Sequence, residues 1–111
     1  MLIVPPNVKI YLYSTATDMR KSFNTLSVII TNIIGLNPLD GSMYVFYNKH
    51  NNKIKILHWD QNGFWLHYKN LVKGKLVIPK INETTCIHST ELYSLLESAA
   101  SIAVDNNTKL F

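Results

Sequence analysis

Two histidines in the middle of the chain have residue types and spacing that suit acid–base chemistry. His58 and His67 lie on either side of Asn62-Gly63, the strongest sequence signal for a tight hairpin turn. A two-residue turn at that pair places His58 directly opposite His67, with Lys69 close by. Such a group resembles a ribonuclease-type acid–base pair, or two ligands of a metal site. Both interpretations need partner residues that the sequence does not show.

The other candidate catalytic groups are too scattered to form a site. Two-metal-ion catalysis of phosphoryl transfer would need three carboxylates to hold the metals. The seven acidic residues of this chain show no metal-ligand spacing. The four glycines are too dispersed for a phosphate-binding loop. The single cysteine, Cys86, allows neither an intramolecular disulfide nor a Cys-rich zinc site. We therefore predict that the protein is not an enzyme, and that it has no catalytic residues, metal site or cofactor.

The charge of the chain is concentrated in its middle section. The net charge is +4, but between Gly41 and Lys80 seven lysines face Asp60 alone, a balance of +6. The residues after Lys80 carry a net charge of −3. A basic middle section favours a polyanionic partner such as nucleic acid. The alternative is a lysine-rich sheet edge that resists aggregation.

Arg20 and Lys21 form a second basic feature, at the predicted start of the first helix. Positive residues in a first turn oppose the helix macrodipole, and a bound anion such as phosphate would explain them. The alternative is that Asp18 compensates and the pair is simply solvated. Basic residues would contact phosphates, and Trp65 would stack on bases. The candidate nucleic-acid-binding residues are Arg20, Lys21, Lys49, Lys53, Lys55, His58, Trp65, His67, Lys69, Lys73 and Lys75.

The elements that would position these residues are read from hydrophobic periodicity. The pattern predicts an α+β fold, a small antiparallel sheet of about four to five strands with two helices, in a single domain over 1–111. The first helix is capped by Asp18 and ends at Gly35. The second helix is predicted over about 89–103. The predicted strands are 8–13, 43–48, 53–59, 64–69 and 76–78. The predicted inner face of the first helix consists of Met19, Phe23, Leu26, Ile30 and Ile33.

The hairpin register divides the central ribbon into two faces. With Asn62 and Gly63 as the turn, Trp59 lies opposite Leu66 on a core face. The other face then carries two sets of residues, one from each strand. This face is either a base-stacking platform, a protein contact or a second buried layer under a helix. The residues of that face are Ile54, Ile56, His58, Trp65, His67 and Lys69.

Two segments resemble a known family: TATDMRKSFNTL (15–26) and GSMYVFYNKHNNKIKILHWDQNGFWLHYKNLVKGKLVIP (41–79). They are similar to the TnpB, or second-open-reading-frame, accessory proteins of a large family of bacterial insertion sequences, which are unrelated to the RNA-guided nuclease TnpB. The resemblance covers about 8–79, and departs from the family at 15–17 and after about residue 80. The matching positions are Asp18, Met19, Arg20, Lys21, Phe23, Leu26, Lys55, Trp59, Asp60, Gly63, Phe64, Tyr68, Lys69, Leu71, Gly74 and Pro79.

This resemblance implies an accessory protein in DNA transposition, encoded beside a separate, larger DDE-type transposase. It leaves two hypotheses open. In the first, the protein binds the DNA of the insertion-sequence ends or the displaced strand. In the second, it is an adaptor that docks on the transposase or on the second accessory protein. The opening MLIVPPNVKI does not read as a signal peptide, and the apolar stretch 26–36 is too short for a bilayer. We therefore expect a protein of the bacterial cytoplasm.

Overall fold

A computed structural model describes residues 2–97 as an α+β fold, which confirms the predicted fold class. The predicted second helix is present from residue 89, and its part beyond residue 97 lies outside the described residues. No helix within 2–97 is long and apolar enough to cross a membrane. The elements are β1 (Ile10–Leu12), α1 (Phe23–Ile29), which continues as a π-helical segment (Ile30–Ile34), β2 (Met43–Tyr47), β3 (Lys53–Asp60), β4 (Gly63–Asn70), β5 (Thr85–Ile87) and α2 (89–97).

The five strands form one mixed sheet in the order β4-β3-β2-β1-β5. Neighbouring strands are antiparallel except β1 and β2, which are parallel, with Ile10 opposite Met43. The prediction of an antiparallel sheet was therefore wrong for this pair. The reason is the connection: the chain returns along α1 to the end of the sheet where β1 began, and a helical crossover joins parallel strands.

The fifth strand is Thr85–Ile87, and the predicted strand at 76–78 is wrong. The backbone N–H of Leu76 donates to the carbonyl oxygen of Asn51 at 2.6 Å, which ties this segment to the β2–β3 turn. The Leu76 side chain is buried in the core. Its apolar character therefore reflects burial in a loop, and the free edge of β1 is taken by β5 instead.

Helices cover both faces of the sheet, so that the protein has three layers. We call the two sides of the sheet the α1 face and the α2 face. The core on the α1 face consists of Tyr13, Leu26, Ile30, Tyr44, Phe46 and Leu57. The core on the α2 face consists of Ile10, Leu12, Met43, Val45, Tyr47, Ile54, Ile56, Leu76, Ile87, Leu92 and Leu95.

The first helix departs from the predicted one at both ends. It begins at Phe23, with Ser22 at the N-cap position, so Asp18 is not its cap. Asp18 instead accepts a hydrogen bond from the backbone N–H of Arg20 at 2.9 Å, within its own turn. Arg20 and Lys21 consequently precede the helix, and the predicted basic helix N-terminus is wrong.

The π-helical segment changes which residues reach the core. The N–H of Gly35 donates to the carbonyl oxygen of Ile30 at 2.9 Å, a bond that spans five residues rather than four. The wider turn directs Ile34 toward the core and leaves Ile33 67% exposed, although Ile33 was predicted to be buried. Phe23, also predicted on the inner face, is 43% exposed. Leu26 and Ile30 are fully buried, as predicted.

The β3–β4 hairpin turns at Gln61-Asn62, one residue before the predicted turn. Asp60 lies opposite Gly63, and the positive φ, 56°, falls on Gln61. The predicted pairing of Trp59 with Leu66 is therefore wrong, because Leu66 lies opposite Leu57. The observed register differs from the predicted one by two residues. Because side chains alternate between the two faces with a period of two, a shift of two residues keeps each side chain on its predicted face. The predicted division of the ribbon into two faces is consequently confirmed.

We expect Gln61→Gly to stabilise the protein by about 0.5 to 1 kcal/mol. A non-glycine residue in the left-handed region costs roughly 1–2 kcal/mol, and the greater freedom of glycine in the unfolded chain offsets part of that gain. Urea denaturation of the wild type and the variant measures the difference. Gly63→Ala is the matched control and should have little effect, because Gly63 has no positive φ and an added Cβ meets nothing within 4 Å. A large loss from Gly63→Ala without a gain from Gln61→Gly would contradict this turn.

Candidate functional site

One end of the sheet collects lysines from two stretches of the chain. The first stretch is the β2–β3 turn and the start of β3; the second is the end of β4 and the loop after it. The two are held together by backbone bonds from Leu71 N–H to Asn52 O at 2.7 Å and from Leu76 N–H to Asn51 O at 2.6 Å. We call this region the lysine end; it consists of Lys49, Lys53, Lys69, Lys73 and Lys75.

The lysine end carries little compensating negative charge. Four of its members, Lys49, Lys53, Lys69 and Lys75, have no carboxylate within 4 Å in the part of the chain that the structure describes. Glu97 lines the same groove as Lys69, between the sheet and α2. All five lysines are exposed except Lys53, which is half-buried. The surface is therefore suited to an anionic ligand.

Lys55 does not belong to the lysine end, although it lies on the same strand as Lys53. Its side chain is buried, its Nζ donates to the carbonyl oxygen of Lys21 at 2.8 Å, and it lies 5.1 Å from the centre of the Tyr68 ring. The ammonium group is thus already engaged. Its contact fastens the loop that carries Arg20 and Lys21 to β3, and the buried Lys55 adds no exposed charge to the lysine end.

The Arg20 guanidinium is paired within its own loop. It donates from Nη2 to Asp18 Oδ2 at 2.6 Å and from Nε to both carboxylate oxygens at 3.0 and 3.1 Å. These hydrogen bonds hold the pKa of the Asp18 carboxyl well below its usual range. The Arg20 side chain remains 91% exposed, so the pair projects into solvent. Its charge is largely balanced, in contrast with the lysine end.

Trp65 and His67 form a stripe of two rings on the α2 face of the edge strand β4. Trp65 is 58% exposed, and its ring stacks on His67 with 6.2 Å between centroids and an interplanar angle of 13°. Its Nε1–H donates to Asp60 Oδ2 at 3.2 Å, which fixes the indole in place. Lys69 follows on the same face, about 13 Å from Trp65 along the strand. The stripe therefore leads toward the lysine end.

The predicted histidine pair does not form across the hairpin. His58 lies opposite Trp65, and His67 lies opposite Ile56, so the two histidines are diagonal neighbours. Burial lowers the pKa of His67, and the nearby His58 adds to this effect. Within residues 2–97, no three histidine, cysteine or acidic side chains come together in a way that would hold a metal ion.

The two stretches that carry the family resemblance meet on the α1 face of the sheet. Trp65 lies on the other side, the α2 face. Phe23 contacts Phe64 with 5.8 Å between ring centroids, and Trp59 contacts Phe64 at 5.0 Å. Tyr68 lies on the same face four residues further along β4 and is 52% exposed. We call Phe23, Trp59, Phe64 and Tyr68 the aromatic surface. Sequence reasoning assigned the three hairpin rings to the core face and missed this surface, since only the tertiary contact with Phe23 brings the two motifs together.

Comparison with known proteins identifies relatives. The family model described as "IS66 Orf2 like protein" matches residues 8–105, most of the chain. "Uncharacterized protein y4hO" of Sinorhizobium fredii (strain NBRC 101917 / NGR234) is 34% identical over 71% of this chain and 69% of its own length. "Uncharacterized protein y4jC" of the same strain is 27% identical over 80% of this chain and 76% of its own length. No solved structure matches.

The matched range contains both segments that carry the resemblance. It includes the loop from Asp18 to Lys21 and both strands of the β3–β4 hairpin, and it extends past residue 79 into α2. The family implies an accessory role in transposition, and it is not a known catalytic family. The chain belongs to the IS66 Orf2-like family of insertion-sequence accessory proteins.

Proposed function

We propose that this protein binds DNA of its insertion sequence through the lysine end, without catalysing a reaction, in the bacterial cytoplasm. The observation that supports this function best is the convergence of five lysines from two chain segments on one end of the sheet. Lysine clusters neutralise phosphates and release counterions, which supplies sequence-independent affinity for DNA. The element ends are the DNA that an accessory protein of transposition would engage.

The stripe of Trp65 and His67 adds a second kind of contact beside the charged one. Exposed aromatic rings stack on bases that are not paired in a duplex, and this contribution is independent of salt. Because the pKa of His67 is lowered, its ring is largely neutral near pH 7 and suits stacking better than a charged ring. A single strand that runs from the lysine end along β4 would therefore meet phosphate-binding lysines first and stacking rings second.

We expect the affinity for element-end DNA to fall steeply with salt, and fluorescence anisotropy across a salt series measures the slope. Replacing Lys49, Lys53 and Lys75 together with glutamine should lower the slope of log K against log salt by roughly 2 to 3, because each phosphate contact contributes about 0.9. Lys9→Gln is the matched control, since Lys9 precedes β1 at the opposite end of the sheet. A slope that changes equally in both variants would contradict the lysine end as the binding surface.

The second candidate function is that of an adaptor for the transposase or the second accessory protein. The observation that favours it is the aromatic surface, since exposed aromatic side chains frequently dominate the binding energy of protein interfaces. The same salt series separates the two functions. An absence of DNA affinity at low salt, with capture of the transposase that depends on Phe23, would replace the DNA-binding proposal with the adaptor proposal.

A further inference from the structure

The edge strand β4 presents a free row of backbone hydrogen-bonding groups. Antiparallel ladders alternate hydrogen-bonded and non-hydrogen-bonded pairs. The bond from Leu71 N–H to Asn52 O fixes this alternation, because these residues continue the register in which Lys53 lies opposite Asn70. The backbone groups of four β4 residues therefore point away from β3, and within residues 2–97 no strand lies on that side. These residues are Phe64, Leu66, Tyr68 and, at the end of the strand, Asn70.

We infer that β4 pairs antiparallel with β4 of a second copy of this chain, about a two-fold axis at Leu66, to form a continuous ten-stranded sheet. The dimer engages Lys69 of the lysine end and leaves Lys49, Lys53 and Lys75 available for phosphate. The axis places Leu66 opposite Leu66 of the second copy. Residues at equal distances before and after Leu66 then lie opposite one another across the two copies. The cross-copy pairs are Phe64 with Tyr68, Trp65 with His67, and Gly63 with Lys69.

Charge complementarity selects this register. Lys69 of the second copy would lie opposite Gly63, and Asp60 is one strand further on the same face, about 10 Å from it. Gly63 has no side chain, and the space above it is open to 4 Å, so the lysine can extend across it to the exposed Asp60 carboxylate. The two-fold axis generates this ion pair twice. It also keeps the two Lys69 ammonium groups apart.

A neighbouring register is less complementary. Moving the axis to His67 would set the two His67 rings against each other and place Phe64 opposite Asn70. The Leu66-centred register instead gives an aromatic pair on each face, and such cross-strand pairs stabilise sheets. It also covers the sides of Trp65 and Tyr68, which are 58% and 52% exposed in the single chain, and leaves the outward side of each ring accessible. Exposed aromatic residues on an uncovered edge strand are otherwise a liability for aggregation.

The test is the molar mass of the DNA-free protein by sedimentation equilibrium. We expect the wild type to show a concentration-dependent twofold increase in mass. Lys69→Glu and Asp60→Lys should each abolish the increase, because each places like charges together, and the double variant should restore it. Lys53→Glu is the matched control; it makes the same charge change on β3, away from the edge, and should leave the dimer intact.

Hydrogen exchange gives a second measurement that does not depend on these variants. In the dimer the amides of Phe64, Leu66 and Tyr68 should exchange slowly and become fast on dilution, while the amides of Trp65 and His67 stay slow, because they bond to β3. A single-chain mass at the highest soluble concentration would overturn the inference. So would a dimer that survives Lys69→Glu while the three edge amides exchange fast. Either outcome leaves the salt-dependence experiment on DNA untouched.

Discussion

Ile30→Ala is expected to lower the free energy of unfolding by about 2–5 kcal/mol, the range for removing a fully buried aliphatic side chain. Ile30 has no exposed surface, and it lies where α1 becomes π-helical, packed with Leu26 and Leu57 against the sheet. Truncation leaves a cavity between α1 and the sheet. Urea denaturation monitored by tryptophan fluorescence measures the loss.

Ile33→Ala is the matched control for this prediction. The two residues are three positions apart, and a regular α-helix would bury both on one face. In the π-helical segment Ile33 is 67% exposed, so its truncation should change stability by less than about 0.5 kcal/mol. The higher helix propensity of alanine offsets part of any loss. Equal and large losses from both variants would mean that the segment is a regular α-helix.

Lys55→Ala is expected to cost about 2–3 kcal/mol. The substitution removes a hydrogen bond from a charged donor, takes the cation away from the Tyr68 ring, and leaves the Lys21 carbonyl without its partner. Thermal unfolding followed by circular dichroism reports the change. The loop that carries Arg20 should also loosen, because Lys55 is its fastening to β3.

Two further variants separate the charge of Lys55 from its packing. Lys55→Met keeps the apolar stem that packs under Tyr68 and loses only the ammonium contact, so its loss should be smaller than that of Lys55→Ala. Lys53→Ala changes the same residue type on the same strand, where the side chain is half-buried, and should be nearly neutral. If Lys53→Ala were as costly as Lys55→Ala, the contact with Lys21 would not be the cause.

The strands were predictable because their signals are local. Alternation of apolar side chains identified β2, β3 and β4 to within a residue or two, and it divided the hairpin into its two faces. The turn was not predictable from the same signals. Asn62-Gly63 is the better turn sequence, but a turn at Gln61-Asn62 places Phe64 between Trp59 and Phe23. Packing across the layers therefore outweighs the turn preference and leaves a positive φ on Gln61.

The candidate site was predictable in composition and not in arrangement. The lysine content of the middle section pointed to an anionic partner, and the lysines do gather at one end of the sheet. Nothing local, however, distinguishes Lys55 from Lys53, because its burial depends on a carbonyl group far away in the chain. The parallel pairing of β1 with β2 was missed for the same reason: strand direction depends on the path of the connection.

The position of β1 in the sheet also determines the order in which the protein can fold. β2, β3 and β4 are joined by short turns and can pair as soon as they exist, whereas β1 lies between β2 and β5, far apart in sequence. Closing those long loops costs more entropy than closing a hairpin, so the local three-strand unit has the kinetic advantage. The pairing of β1 on its second edge therefore forms only after β5 is present. On the ribosome, β1 has an open edge until β5 has been synthesised.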